Sequence, residues 1–205
     1  MVAVIMTASA GTSALASSVS YYLDQSNENT FLPDGTNYLK VTISDVGNDI
    51  AFLVETLPPL SGNAGTNYGI QGFGFNTSQT LTSANFSGMP SGWNVNLGMN
   101  LDGFGNFNFV ESGTGSTRVE PLTFSITGIA GDTPMSYVLL STGTAGQGNV
   151  FFAAHVAGFN DVDPGTGVIT SAYFGGSIPV PLPATVWLFG SGLLGLGAVA
   201  RRRKN

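Results

Sequence analysis

Leu39-Lys-Val-Thr-Ile-Ser-Asp-Val-Gly-Asn-Asp-Ile-Ala-Phe-Leu-Val54 is the stretch that decides the fold. Leu39, Val41 and Ile43 alternate with Lys40, Thr42 and Ser44, the period of two of a half-buried strand. Ile50, Phe52 and Val54 repeat that period after Val46-Gly-Asn-Asp49, a turn signal, so the two runs form a hairpin. Leu122, Phe124 and Ile126 alternate in the same way with Thr123, Ser125 and Thr127. Further strands are expected at Tyr68–Asn76, Trp93–Leu97, Asn106–Glu111, Met135–Ser141, Val150–Val156 and Val168–Phe174, separated by Gly, Asn, Asp, Ser and Thr clusters of turn composition. No stretch between Ser18 and Ser177 shows a capped helical period, and no fixed repeat supports a solenoid. The expected fold is therefore all-β: an antiparallel β-sandwich of jelly-roll or immunoglobulin-like type, with Phe-rich aromatics filling the space between two sheets.

Composition narrows the chemistry. The chain has 205 residues, no Cys and one His, which removes disulfides, thiol nucleophiles and multi-histidine metal centres. Charged residues are only 9% and unevenly placed: Arg201, Arg202, Arg203 and Lys204 are four of the six cations. Residues 1–200 keep Lys40 and Arg118 against twelve acids, a balance of −10. A surface of that sign repels phosphates, so nucleic acid is not an expected partner.

Both ends read as addresses. Residues 184–200 carry no charge, about the minimum length for a bilayer-spanning helix. Trp187 suits one interface, and the cluster Arg201–Lys204 acts as a cytoplasmic stop at the other. A single transmembrane helix is expected there, following the sandwich. Residues 1–16 are apolar and small and close in Ala14-Leu15-Ala16, an A-x-A site for signal peptidase. They read as the later part of a signal peptide for Sec export whose basic start lies upstream. The division expected is 1–16 signal peptide, 17–177 ectodomain and 178–205 sorting signal.

Val180-Pro-Leu-Pro-Ala184, the apolar segment with Trp-Leu-Phe-Gly-Ser-Gly-Leu-Leu-Gly-Leu, and the terminal Arg-Arg-Arg-Lys together resemble the PEP-CTERM sorting signal, and more narrowly its VPLPA variant. The resemblance covers about the last 26 residues. It implies a Gram-negative, exopolysaccharide-producing bacterium and an exosortase-like membrane enzyme as partner. Val180, Pro181, Leu182, Pro183 and Ala184 would then be substrate residues, cleaved near the prolines during a transient stay in the inner membrane. Delivery would be to the cell surface or extracellular matrix. The motif reads Pro-Leu-Pro where the commoner form has Pro-Glu-Pro. Physically, Pro179, Pro181 and Pro183 stiffen an extended segment that a protease-like site can grip without unfolding anything.

Chemistry within the domain is sparse. His155 is the only imidazole; it shares a strand face with Phe151, Ala153 and Ala157 and reads as structural. No G-x-S-x-G elbow occurs. Acid pairs of glycosidase type would be Glu111 with Glu120 or Asp161 with Asp163. Asn160-Asp-Val-Asp163-Pro-Gly offers alternating oxygen ligands, making Asp161 and Asp163 a calcium candidate, although a plain turn explains the run equally; no other cofactor is expected. The Asp102-Gly-Phe-Gly-Asn106 run is a poorer candidate. The expected role is non-enzymatic: a structural or adhesive component associated with exopolysaccharide, with a carbohydrate- or calcium-binding module and a surface hydrolase as the competing readings.

Overall fold

The computed structural model describes residues 17–163, 165 and 167–180. Twelve strands are found among them: β1 (Ser18–Leu23), β2 (Gln25–Ser26), β3 (Leu39–Val46), β4 (Asp49–Thr56), β5 (Ala64–Phe75), β6 (Phe86–Ser87), β7 (Asn94–Leu101), β8 (Gly105–Ser112), β9 (Leu122–Ile126), β10 (Phe152–Phe159), β11 (Ser171–Gly176) and β12 (Ile178–Pro179). They form two antiparallel six-stranded sheets, in the orders β12-β1-β3-β4-β9-β6 and β2-β11-β10-β5-β8-β7. The all-β expectation holds. The chain passes repeatedly from one sheet to the other, and a single helical turn, α1 (Pro58–Ser61), carries it from β4 to β5.

The first sheet follows the hydrophobic pattern directly. Leu39, Val41 and Ile43 of β3 and Ile50, Phe52 and Val54 of β4 are buried, while the residues between them are half-buried. The hairpin register is Val41↔Val54 and Ile43↔Phe52, closing at Val46↔Asp49. Gly47, the first residue of its two-residue loop, has φ +73°, the left-handed conformation that hairpin turns require and glycine adopts without strain.

The sheets pack through aromatic rings. Phe52 stacks on Phe124 of its own sheet at 4.6 Å and meets Phe75 of the other at 5.1 Å. Phe73 meets Phe152 at 6.1 Å, and Tyr38 meets Phe174 at 4.9 Å. Each fully buried ring contributes about 1.5–3 kcal/mol by leaving water, which lets a chain without disulfides hold together.

The second sheet is buried on both faces over part of its area. Its outer side carries a smaller cluster of Leu101, Phe104, Phe107, Val110, Val150 and Ala153. The tip of the β7–β8 hairpin lies over glycines there. A Cβ on Gly175 would fall 2.4 Å from Phe104, and one on Gly74 would fall 2.6 Å from Leu101, so the close cover exists because those positions lack side chains.

Two expectations need correction. Met135–Ser141 is not a strand: Pro134–Tyr137 form a 3-10 turn opened by a Thr133/Ser136 capping box, with proline in its first turn. Residues 138–142 pair only through isolated bridges, Asn76↔Leu139 and Asn106↔Thr142. In the Val168–Phe174 run, regular pairing begins only at Ser171. The sandwich also continues past residue 177, because Ile178 and Pro179 pair with Tyr22 and Tyr21 of β1.

Candidate functional site

Of the expected sorting residues, Val180 is the one placed by the fold: its backbone N–H donates to the Ser20 carbonyl at 2.8 Å, extending the β12–β1 pairing by one step. Pro181, Leu182, Pro183 and Ala184, the segment 184–200, the cluster Arg201, Arg202, Arg203 and Lys204, and the signal-peptidase residues Ala14 and Ala16 lie outside the described residues. Among the described residues no helix is long and apolar enough to cross a membrane.

The four acids singled out in the sequence fall in three different settings. Glu111 of β8 lies on the inward face between Phe73 and Val95 of the neighbouring strands, fully enclosed, with no hydrogen-bond partner on either carboxylate oxygen. Burial pushes its carboxyl well above the ordinary range. Glu120 instead accepts the Thr56 N–H at 2.9 Å, with burial raising its carboxyl. Since Glu111 has no exposed surface, the two line no common cleft. Asp161 Oδ1 accepts the N–H groups of Asp163 (3.0 Å) and Ile169 (2.8 Å), and Asp163 Oδ1 accepts that of Gly165 (3.2 Å). These are turn-forming bonds. Two carboxylates do not supply the six to eight oxygens that calcium takes, and no group of three acidic or metal-binding side chains converges among the described residues.

The outer face of the second sheet carries a more pointed arrangement. His155 of β10 pairs with Tyr173 of β11 on one side and Gly72 of β5 on the other. The two rings stack at 4.4 Å and 12°. Burial and the nearby Arg118 hold the imidazole below its ordinary pKa, so it is neutral at neutral pH. Next to Gly72, Gln71 is the extra residue of a β-bulge, since Gly72 pairs with His155 and Ile70 with Val156. Its Oε1 accepts Arg118 Nε–H at 2.8 Å. The Ile70↔Val119 bridge brings Arg118 to this edge, and Arg118 Nη1 donates to the Asn67 carbonyl at 3.1 Å.

Gly72, His155 and Tyr173 thus form one row across the sheet, with Arg118 held beside it on Gln71. From Arg118 a groove of about 430 Å³ runs along Ala157 and is walled by Thr66, Asp161, Thr170 and Ser171. The sequence marked Arg118 as one of two cations in an acidic domain but did not place it beside His155. Only the long-range pairing of residues 70 and 119 does that.

Comparison with curated proteins and with solved structures finds no match to this chain. A family model does match. It covers residues 179–204, starting inside β12, and the chain therefore carries the PEP-CTERM protein-sorting motif.

Proposed function

We propose that this chain is an exported bacterial surface protein whose C-terminal signal is recognised and processed by an exosortase-like membrane enzyme. The match of residues 179–204 to the sorting motif is the observation that carries this reading. Within it, Val180-Pro-Leu-Pro-Ala184 acts as a VPLPA-type recognition segment, residues 184–200 as a transient inner-membrane span, and Arg201–Lys204 as the cytoplasmic stop. Sec export and signal peptidase handle the other end, at Ala14-Leu15-Ala16. The domain itself serves without catalysis, as a structural or adhesive component of an exopolysaccharide-rich surface or matrix.

The test is the C-terminal mass of the protein recovered from its host, with membrane and extracellular fractions kept apart. Loss of everything beyond the Val180–Ala184 region supports processing. An intact Arg201–Asn205 tail in the mature protein overturns it and leaves a permanent anchor. A second reading, a saccharide-binding module, is favoured by the groove beside His155 and Arg118.

A further inference from the structure

We infer that the groove running from Arg118 along Ala157, beside the paired Gly72 and His155, binds a carboxylate-bearing saccharide, a sugar acid unit of an acidic polysaccharide. This deepens the adhesive reading above and rests on it.

The first observation concerns charge. In a region with twelve acids and two cations, Arg118 makes no ion pair with the described residues. Its Nε and Nη1 are instead fixed by neutral acceptors, Gln71 Oε1 and the Asn67 carbonyl. The guanidinium is thereby oriented without being neutralised, and Nη2 is left for an anion. An oriented guanidinium reads a carboxylate through paired N–H donors.

The second observation is the space beside it. Gly72 separates Arg118 and Gln71 from His155. A Cβ built on Gly72 would touch only the His155 Cβ at 3.6 Å and the Glu111 carbonyl at 3.7 Å, so the room above this position is open. Tyr173 stacks on one face of the imidazole of His155, whose backbone pairs with Gly72. Room beside an oriented cation suits a pyranose with its carboxylate turned to Arg118.

The third observation selects among ligands. The remaining wall contains a carboxylate and hydroxyls, Asp161 with Thr66, Thr170 and Ser171. A simple anion would meet Asp161 as a like charge. A neutral sugar would leave Arg118 without its counter-charge. A sugar acid uses both ends: its carboxylate on the guanidinium and its hydroxyls on Asp161 and the threonines.

The experiment is titration of the full chain in detergent by calorimetry with an oligogalacturonate, and in parallel with a neutral cello-oligosaccharide. The acidic oligomer should bind and the neutral one should bind at least about tenfold more weakly, the discrimination expected for one charge-assisted contact. Arg118→Gln should abolish that preference. Because Arg118 also ties down Gln71 and Asn67, a second variant, Gly72→Val, fills the gap at a position whose backbone accepts a side chain. It should lose binding while keeping the wild-type melting temperature.

Equal affinity for both oligomers, or wild-type affinity in both variants, overturns the inference, as does absence of binding to the acidic oligomer. Failure here with correct C-terminal cleavage removes the ligand alone. Binding together with an uncleaved tail removes the sorting reading alone.

Discussion

Replacing Glu111 should make this protein more stable, and should do so in a pH-dependent way. Its carboxyl is wholly enclosed, flanked by Phe73 and Val95, and has no hydrogen-bond partner on either oxygen. Burial raises its pKa well above the ordinary range, so the folded protein holds a proton that the unfolded chain releases. Where the native state binds the extra proton, stability falls as pH rises. The contribution is most favourable below about pH 4.3, where both states are protonated, and declines by about 1.4 kcal/mol per pH unit until the folded pKa is passed.

Glu111→Gln removes that slope but keeps an unsatisfied polar group. Glu111→Met removes both, adding about 1–3 kcal/mol for the orphaned polar atoms. The assay is denaturant unfolding followed by circular dichroism between about pH 4.5 and about pH 7.5. The expected order at neutral pH is Met above Gln above wild type, with the gaps to wild type closing toward the acid end. Parallel stability–pH curves for wild type and Glu111→Met, or a less stable Met variant at neutral pH, would refute the reasoning.

Other expected outcomes rest on particular contacts. Gly175→Ala puts a Cβ 2.4 Å from the Phe104 ring and should cost about 1–3 kcal/mol, with much of the loss recovered when Phe104→Leu is added; thermal melts of the two single variants and the double variant measure this coupling. Asn76 bonds the Leu140 carbonyl through Nδ2 and accepts the Asn108 N–H through Oδ1, both at 2.6 Å. Asn76→Ala should therefore cost about 2 kcal/mol and speed amide exchange at Asn108 ahead of the strands around it. Phe52→Ala removes the ring that joins Phe124, Phe75 and Tyr137 and should cost about 3–5 kcal/mol in denaturant unfolding.

How far the fold could be read in advance depended on which side of a strand meets water. β3, β4 and β9 bury one face only, so their side chains alternate and their strands were legible almost to the residue. β10 is buried on both faces for most of its length, and half of β5 is glycine or phenylalanine with alternation only at its Gly72–Phe75 end, so the ends of both were misplaced. β2, β6 and β12 contain two residues each, too few for any period to show. At Met135–Ser141 an apolar run outweighed Pro134 and the Thr133/Ser136 box, the signals that decide that segment.

The acids illustrate a similar limit. Phe109, two residues before Glu111 on β8, lies in the core between the sheets, and Glu111 shares its inward face rather than lining a cleft. For Asp161 and Asp163 the turn reading accounts for each bond to the described backbone. The Arg118 groove needed residues distant in sequence to meet across a β-bulge, which no local pattern encodes.

The pairing of Val180 with Ser20 gives the domain a direction. The first strand sets out from, and the last strand returns to, the same corner of one sheet, beside the Val46–Asp49 turn, since Ser18 pairs with Ser44. The second sheet extends the other way. Tyr68 of β5 lies against Thr56 at the opposite end of β4, and Ala64 and its partner Phe159 lie further along, next to the Arg118 groove. A chain held through residues 181–205 would therefore stand on its Val46–Asp49 end. Under the sorting reading proposed above, the groove would then lie at the end of the domain away from Val180.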